Sequence, residues 1–462
     1  MVVIPRPFDT LRPFDTLPES VTYFMKKSIY LCLLFILVLL FGCGSKHVPE
    51  PSIDVFDYTK DALLLIEIVE DVHPIFVLDG VLPDDYDEKK LRLLDSVSKP
   101  ITRTDFTLAI QDYMTALCDG HMGSWLRDRS RFISIKWTSV DGRLYLDDEK
   151  GYSGSIEVTA IGGVPTSEIF DIISIYNYFE NYIDRDYLNQ VFSRDEVILE
   201  LAGAHIESDT VVLSLHDNIS GEVSNRETTF MNANLWSIFG YPSVNNAVRS
   251  YFIGDVLCID VRTFRNHASF DETAQVIKDA IADGTQHFII DLRDNSGGNS
   301  DNAVKLLEAM GVSELPVYGV TRRISMFAKE QRDQIDEDVA SSEVGSVFEI
   351  KPAVTAVENP NGVFICVLTN ANTFSTATYL GAMVQDGKLG IIIGSPSRNA
   401  PSMFGDMLTF ELPISDLAIN VSYSKWYRPD SSASQNILIP DIEVHSVDAL
   451  DAAIEFLETI TS

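Results

Sequence analysis

The chain has 462 residues, of which 45% are hydrophobic and 22% are charged, and its formal net charge is −33. This composition excludes a disordered chain and a polytopic membrane protein, and at roughly 150 residues per domain the length allows two or three domains. So acidic a surface repels phosphate backbones, and we therefore expect no nucleic-acid partner. The five cysteines form no CxxC pair and the eight histidines no HExxH motif, so no zinc site of the usual spacing is predicted.

Residues 25–42 have the pattern of a bacterial lipoprotein signal peptide. Two lysines precede an uncharged, mostly apolar run over 28–41, which is short for a membrane-spanning helix and suits a signal sequence. The tetrapeptide 40–43 (LFGC) resembles a lipobox, which predicts lipidation of Cys43 and anchoring to a membrane of the cell envelope, on the extracytoplasmic side. The alternative is an ordinary signal peptide followed by a chance cysteine.

The first 24 residues do not belong to that signal. They contain the hexapeptide RPFDTL twice in tandem and no basic segment followed by a continuous apolar run. We predict that translation starts at Met25 and leave residues 1–24 out of the fold prediction.

The first predicted domain, over residues 57–130, is helical and follows a tether over 43–56. Apolar residues at positions 62, 65, 66, 69 and 72 have helical spacing, and a proline at 74 ends that helix. A second helix is predicted to begin near Thr104, with Gly120 as the residue just past its end. His121 follows directly.

The second predicted domain, over residues 131–244, is rich in strands. Alternating patterns over 155–163 and 209–217 predict strands, and 167–178 predicts a helix between them. The third region, 245–462, repeats a strand–helix–strand pattern, which predicts an α/β layer with partly parallel strands. Within it, Ser269 and Glu272 suggest a capping box. The charged stretch 321–343 predicts a solvated helix, with a lid over a cleft as the alternative.

Two strand-to-helix turns carry residues suited to catalysis. In the first, the backbone amides around Gly297 and Gly298 could bind an anion or an oxyanion, although a tight turn alone would also explain two glycines. In the second, Ser375 falls where a helix begins, so that its hydroxyl and the amide of Thr376 face the positive end of the helix dipole. A serine there can equally be an ordinary helix N-cap.

Taken in order, these motifs resemble the C-terminal-processing (tail-specific) serine proteases and their tricorn-type relatives. The resemblance runs from about residue 57 to 450 and is most specific in the segments 291–298 (DLRDNSGG) and 369–375 (TNANTFS). It implies an N-terminal helical domain, a PDZ-like domain and a crotonase/ClpP-like catalytic core. The fold class is therefore predicted to be multidomain α/β and α+β.

The resemblance also implies roles for individual residues. Ser375 matches the nucleophile, and His121, in the sequence Asp-Gly-His-Met-Gly, matches the general base of the tricorn type. The amides of Thr376 and of Gly297 or Gly298 match the oxyanion hole. For His121 the alternative is a helix C-terminal cap. The implied activity is a serine endopeptidase that acts on peptides, unfolded proteins or protein C-termini through an acyl-enzyme, without a metal or organic cofactor.

The sequence departs from the family pattern at the third catalytic position. The processing proteases use a lysine base, and its matching position here is Ala400. The tricorn type orients its histidine with a glutamate, near where this chain has Ser434; Asp430 and Asp441 are the candidate replacements. Because a triad without its orienting acid loses orders of magnitude in turnover, the alternative function is a catalytically impaired peptide- or ligand-binding protein, as in the interphotoreceptor retinoid-binding proteins, whose domains resemble this core.

Overall fold

The computed structural model describes residues 54–461 except 79, 126–129, 149–150, 234–246, 333 and 335. Asp54–Ser462 forms one compact unit. The predictions for the start site, the signal peptide, Cys43 and the tether up to residue 53 lie outside the described residues. No helix in the described range is long and apolar enough to cross a bilayer.

The N-terminal region is a group of helices that packs on strands from the far end of the chain. Its elements are α1 (Thr59–Val72), a 3-10 turn (Pro74–Val77), α2 (Tyr86–Ser96), α3 (Arg103–Thr115) and the short strand β1 (Gly123–Trp125). The predicted inner face of α1 is confirmed, since Leu65 and Val69 are fully buried. These helices share one hydrophobic core with the strands Phe404–Leu412 and Leu417–Tyr427.

The middle of the chain, Ser130–Ala233, forms what we call the β-rich domain. Its elements are β2 (Ser130–Ile133), β3 (Trp137–Val140), β4 (Arg143–Asp148), β5 (Gly151–Ile161), β6 (Val164–Pro165), α4 (Thr166–Tyr176), α5 (Tyr182–Phe192), α6 (Glu196–Leu201), β7 (Ile206–Glu207), β8 (Thr210–Asp217) and β9 (Val223–Ala233). The strands form an eight-stranded sheet whose main path is β2-β9-β8-β5-β4-β3. The sheet and its helices enclose a separate core around Trp137 and Leu213.

The C-terminal region contains two further sheets. Its elements are β10 (Val248–Ile253), β11 (Val256–Val261), α7 (Ser269–Ala282), β12 (His287–Asp291), α8 (Ser300–Ala309), β13 (Gly319–Arg323), α9 (Met326–Arg332), α10 (Glu337–Ser341), β14 (Val347–Ile350), β15 (Phe364–Thr369), α11 (Thr376–Asp386), β16 (Gly390–Gly394), β17 (Phe404–Leu412), β18 (Leu417–Tyr427), β19 (Ile442–Glu443) and α12 (Ala449–Thr461). One sheet has the order β10-β11-β12-β15-β16-β19 and is parallel except at β10. The other joins β1, β13, β14, β17 and β18 by antiparallel pairing.

The parallel sheet is covered on both faces. One face packs against α7, α8 and α11, and the other against α12. Burial on both sides explains why its strands read as continuous apolar runs in the sequence. The predicted mixed α/β, multidomain fold class is confirmed.

Two local predictions were wrong. The stretch 321–343 is not a solvated helix but the end of β13 followed by α9 and α10. Arg322 is buried there and pairs with Asp338 at 2.7 Å and Asp406 at 3.3 Å, because a buried guanidinium needs acidic partners. The capping box is also absent, since α7 has no side-chain cap and the Ser269 amide donates to His267 Nδ1 at 3.1 Å.

Candidate active site

Ser375 lies at the turn between β15 and α11, in a backbone conformation that serine rarely adopts. Its φ is +54° and its ψ is −123°. Its side chain makes no capping hydrogen bond to α11, so the N-cap alternative does not describe this serine. A non-glycine residue in such a region costs about 1–3 kcal/mol and persists only where its surroundings hold it.

Two asparagines supply part of that support. The Ser375 amide donates to Asn399 Oδ1 at 2.6 Å. The preceding amide, that of Phe374, donates to the carbonyl of Asn295 at 2.9 Å. Asn295 is fully buried and also donates to the carbonyl of Val261 at 2.8 Å, which ties the serine turn to the parallel sheet.

The turn at Gly297 and Gly298 packs directly against the serine. A Cβ at Gly297 would lie 2.7 Å from Ser375 Cβ, and one at Gly298 would lie 2.3 Å from the backbone carbon of Phe264. Their φ angles are +92° and +144°. Glycine is therefore required here both for conformation and for close approach.

Only two of the three predicted oxyanion donors are free. The Gly297 amide already donates to Asn295 Oδ1 at 2.8 Å, so of the two predicted glycine alternatives Gly298 is the one whose amide is available. The amides of Gly298 and Thr376 donate to no described residue, and Thr376 is the first residue of α11, where an amide has no intrahelical acceptor. The Thr376 hydroxyl donates to the Gly298 carbonyl at 2.8 Å and so fixes the two turns together.

His121 shares a cavity with Ser375. The cavity has a volume of about 780 Å³, and Ser375, His121, Gly298 and Thr376 all line it. The His121 ring lies 4.6 Å, centroid to centroid, from the ring of Phe374, the neighbour of Ser375. Neither ring nitrogen of His121 has a hydrogen-bond partner among the described residues, so no hydrogen bond to Ser375 is formed here. Burial lowers the pKa of His121 below its usual value of 6.5, although Asp119 opposes that shift.

Asp119 is an acid beside His121, and His73 holds it in place. Asp119 Oδ1 accepts the His121 amide at 2.8 Å and lies 3.9 Å from His121 Nδ1. Its other oxygen, Oδ2, pairs with Nε2 of the buried His73 at 3.3 Å. Burial alone would raise the pKa of Asp119, but His73, His121 and Ser422 together outweigh it and lower that pKa.

Glu180 is a second acid at this site, and it comes from the β-rich domain. It lies between α4 and α5, and its Oε2 accepts both Asn399 Nδ2–H at 2.7 Å and the Ala400 amide at 2.6 Å. Burial, together with repulsion from Asp184, raises the pKa of Glu180 to about 7. Gly120 was predicted to be the residue just past the end of α3, but α3 ends at Thr115, and the left-handed conformation that follows falls on Cys118 (φ +53°). Gly120 is instead required because a Cβ there would lie 2.6 Å from Glu180 Oε1.

Asp430 and Asp441 do not orient His121. They line a different cavity, at the far end of α11. Asp430 accepts the amide and hydroxyl of Ser432, and Asp441 accepts the amide of Ile392 at 2.8 Å. Both therefore shape loops, and the prediction that either replaces the missing glutamate was wrong.

Sequence reasoning missed Asp119, His73, Glu180 and Asn399 as site residues. Asp119 had a signal, because it stands two residues before the predicted base. Glu180 and Asn399 had none, since the hydrogen bond that brings Glu180 to the site joins residues 219 positions apart in the chain.

One possible metal-ligand atom from each of Asp119, His121 and Glu180 lies within 4.8 Å of the other two. Metal sites use the same residue types. Each carboxylate already accepts two hydrogen bonds from protein donors. We therefore interpret the group as an acid–base cluster.

Comparison with known proteins agrees with this architecture. Residues 255–444 match the model of peptidase family S41. No curated protein sequence matches the chain. The matched segment contains Ser375 and the Gly297-Gly298 turn but not His121.

Solved structures extend the likeness over most of the chain. Mature CPAF has a TM-score of 0.60 at 15% identity, covering 87% of this chain and 96% of its own. CPAF complexed with lactacystin has a TM-score of 0.59 at 15% identity, covering 87% and 97%. The photosystem II D1 C-terminal processing protease has a TM-score of 0.43 at 12% identity, covering 85% and 94%.

At such identities, the CPAF structures show a common fold. The family match and this fold agree with the resemblance found in the motifs. Residues 255–444 therefore match peptidase family S41, and the chain shares its fold with CPAF.

Proposed function

We propose that the chain is a serine endopeptidase that acts outside the cytoplasm, anchored to a membrane through Cys43. Ser375 is the nucleophile, His121 the general base, and the Gly298 and Thr376 amides the oxyanion donors. Asp119 takes the place of the missing orienting glutamate. The substrate is a peptide or an unfolded protein, which the β-rich domain is suited to hold by strand addition.

The observation that carries this proposal is the strained backbone of Ser375, whose side chain makes no capping hydrogen bond and lies next to two free amides. The same cavity holds the His121 ring, whose nitrogens have no hydrogen-bond partner among the described residues. Ser375 Oγ attacks the substrate carbonyl carbon while His121 takes the hydroxyl proton. The amides hold the resulting oxyanion. The C–N bond then breaks, His121 gives its proton to the leaving amine, and water hydrolyses the acyl-enzyme.

The unpaired ring of His121 is also the observation that favours the alternative, a binding protein that keeps the fold without the chemistry. Catalytic hydrogen bonds often tighten only when substrate is bound, which reconciles the gap with an active enzyme.

A fluorophosphonate probe separates the two functions. An enzyme is labelled covalently, and labelling disappears in Ser375→Ala and falls sharply in His121→Ala. Equal behaviour of wild type and both variants would contradict the catalytic assignment. Mass spectrometry of the mature N-terminus tests the anchor, because lipidation predicts an acylated Cys43 as its first residue.

A further inference from the structure

One side chain of the β-rich domain, that of Glu180, is linked to Ser375 by hydrogen bonds through a single intervening residue, Asn399. Glu180 Oε2 accepts Asn399 Nδ2–H at 2.7 Å, and Asn399 Oδ1 accepts the Ser375 amide at 2.6 Å. Neighbouring contacts hold the same interface. Asn181 donates to the carbonyl of Arg398 at 2.9 Å, and Asp184 pairs with the Arg398 guanidinium at 3.1 Å.

The polarity of the Asn399 amide is what makes this chain of bonds informative. Asn399 must present its oxygen to Ser375, because the backbone group there is a donor. An acceptor on the other side enforces that orientation, since a flipped amide would face its NH₂ to an N–H and its oxygen to a carboxylate. Glu180 supplies that acceptor.

The bond to Ser375 supports a conformation that serine does not hold by itself. With φ at +54°, the serine backbone needs neighbours that restrain it. Glu180 also packs on Gly120, next to His121, so the same carboxyl touches both halves of the site.

We propose that Glu180 is a positioning residue for Ser375, and that it makes the conformation of the nucleophile depend on the docking of the β-rich domain. This inference rests on the proposed function, since it assigns a role at that same site. Glu180 itself contacts no reacting atom and acts through Asn399.

The ionisation of Glu180 makes the positioning of Ser375 depend on pH. Its pKa of about 7 results from burial and from Asp184 and Asp119, opposed by the bonds from Ala400 and Asn399. His121 and Lys425 also face Glu180, the latter from β18, and Arg398 forms an ion pair with Asp184. An ionised carboxylate accepts hydrogen bonds more strongly than a protonated one. Positioning therefore strengthens as pH rises through about 7.

Two substitutions separate geometry from charge. Glu180→Ala removes both accepted hydrogen bonds. Glu180→Gln can retain both, because they share one oxygen, but it cannot ionise. Asp195→Asn is the matched control. Asp195 is a buried acid of the same domain with its pKa also raised to about 7, and it caps α6 away from the cavity.

The first measurement is hydrogen–deuterium exchange of the segment 370–380 in the full chain. Below the Glu180 pKa of about 7, Glu180→Ala should speed exchange of the Ser375 amide about tenfold or more, whereas Glu180→Gln and Asp195→Asn should leave it unchanged. Unchanged exchange in a folded Glu180→Ala protein would overturn the positioning role.

The second measurement is the rate of fluorophosphonate labelling against pH. Glu180→Ala should label about 10- to 100-fold more slowly than wild type. Wild type and Asp195→Asn should show an increase near pH 7 that Glu180→Gln lacks. An increase near pH 7, above the His121 transition, that persists in Glu180→Gln contradicts the titration of Glu180, even if the alanine variant does not fold. If wild type is not labelled at all, the proposed function fails, while the exchange experiment still tests the positioning.

Discussion

The two halves of the candidate active site differ in how completely their polar groups are paired. On the nucleophile side, the amides of Phe374, Ser375 and Gly297 each have an acceptor, and a strained backbone is held in place. On the base side, both ring nitrogens of His121 lack hydrogen-bond partners in the part of the chain that the structure describes, although Asp119 lies close by. Under the proposed mechanism, Ser375 is therefore preorganised, whereas His121 would reach its working geometry only by a further movement.

The difference follows from where each half comes from in the chain. The nucleophile side is built on adjacent strands of the parallel sheet, whose turns meet at one edge. The base stands on a loop that follows α3 and depends on distant residues such as His73 for its support. The predictions below test the two sides separately.

The largest effect on the rate of fluorophosphonate labelling is expected from Asp119→Asn. Loss of an orienting carboxylate lowers turnover by up to about 10⁴-fold where the histidine depends on it. Because His121 must be neutral to accept the serine proton, labelling of wild type should be lost as pH falls through a His121 pKa below 6.5. Removing the Asp119 charge lowers that pKa further, so half-maximal labelling should move to lower pH. An unchanged rate and pH profile would remove Asp119 from the mechanism.

Gly297→Ala should break the nucleophile side. The new Cβ would lie 2.7 Å from Ser375 Cβ and 2.9 Å from the Thr376 amide. We expect labelling to slow at least about 100-fold, because an oxyanion donor is displaced. Gly284→Ala is the matched control, with a similar φ of +95° but no atom within 4 Å. Equal labelling rates in the two variants would contradict a specific contact.

Replacing each of the two histidines by alanine should affect the free energy of unfolding differently. His121→Ala removes two buried ring nitrogens that have no hydrogen-bond partner among the described residues, so the free energy of unfolding should be unchanged or rise by about 1 kcal/mol. His73→Ala removes a buried bond to Asp119 and an acceptor for the Ile75 amide, and should cost about 2–4 kcal/mol. Chemical denaturation of both variants measures this, and a larger loss for His121→Ala would refute the comparison.

The smallest effect is expected from Asp430→Asn. Its side chain bonds to nearby Ser432 and lines a separate cavity, so labelling should change less than about twofold. A large loss would restore Asp430 as a catalytic acid.

Much of the local structure followed from the sequence. The apolar spacing in α1 and the buried strands β11, β12 and β15 were readable because their periods and lengths are set by secondary structure alone. The turn at Gly297-Gly298 and the serine at the start of α11 were readable for the same reason. The capping box and the helix over 321–343 failed because His267 and the partners of Arg322 decided those segments.

The sequence by itself therefore determined most of the elements, the serine that precedes α11 and the histidine that follows α3. Only the tertiary structure decided which acid adjoins that histidine, which glycine amide stays free, and how Glu180 reaches the serine. Local propensity depends on residues a few positions apart, whereas a hydrogen bond between positions 180 and 399 exists only once two regions of the chain have docked.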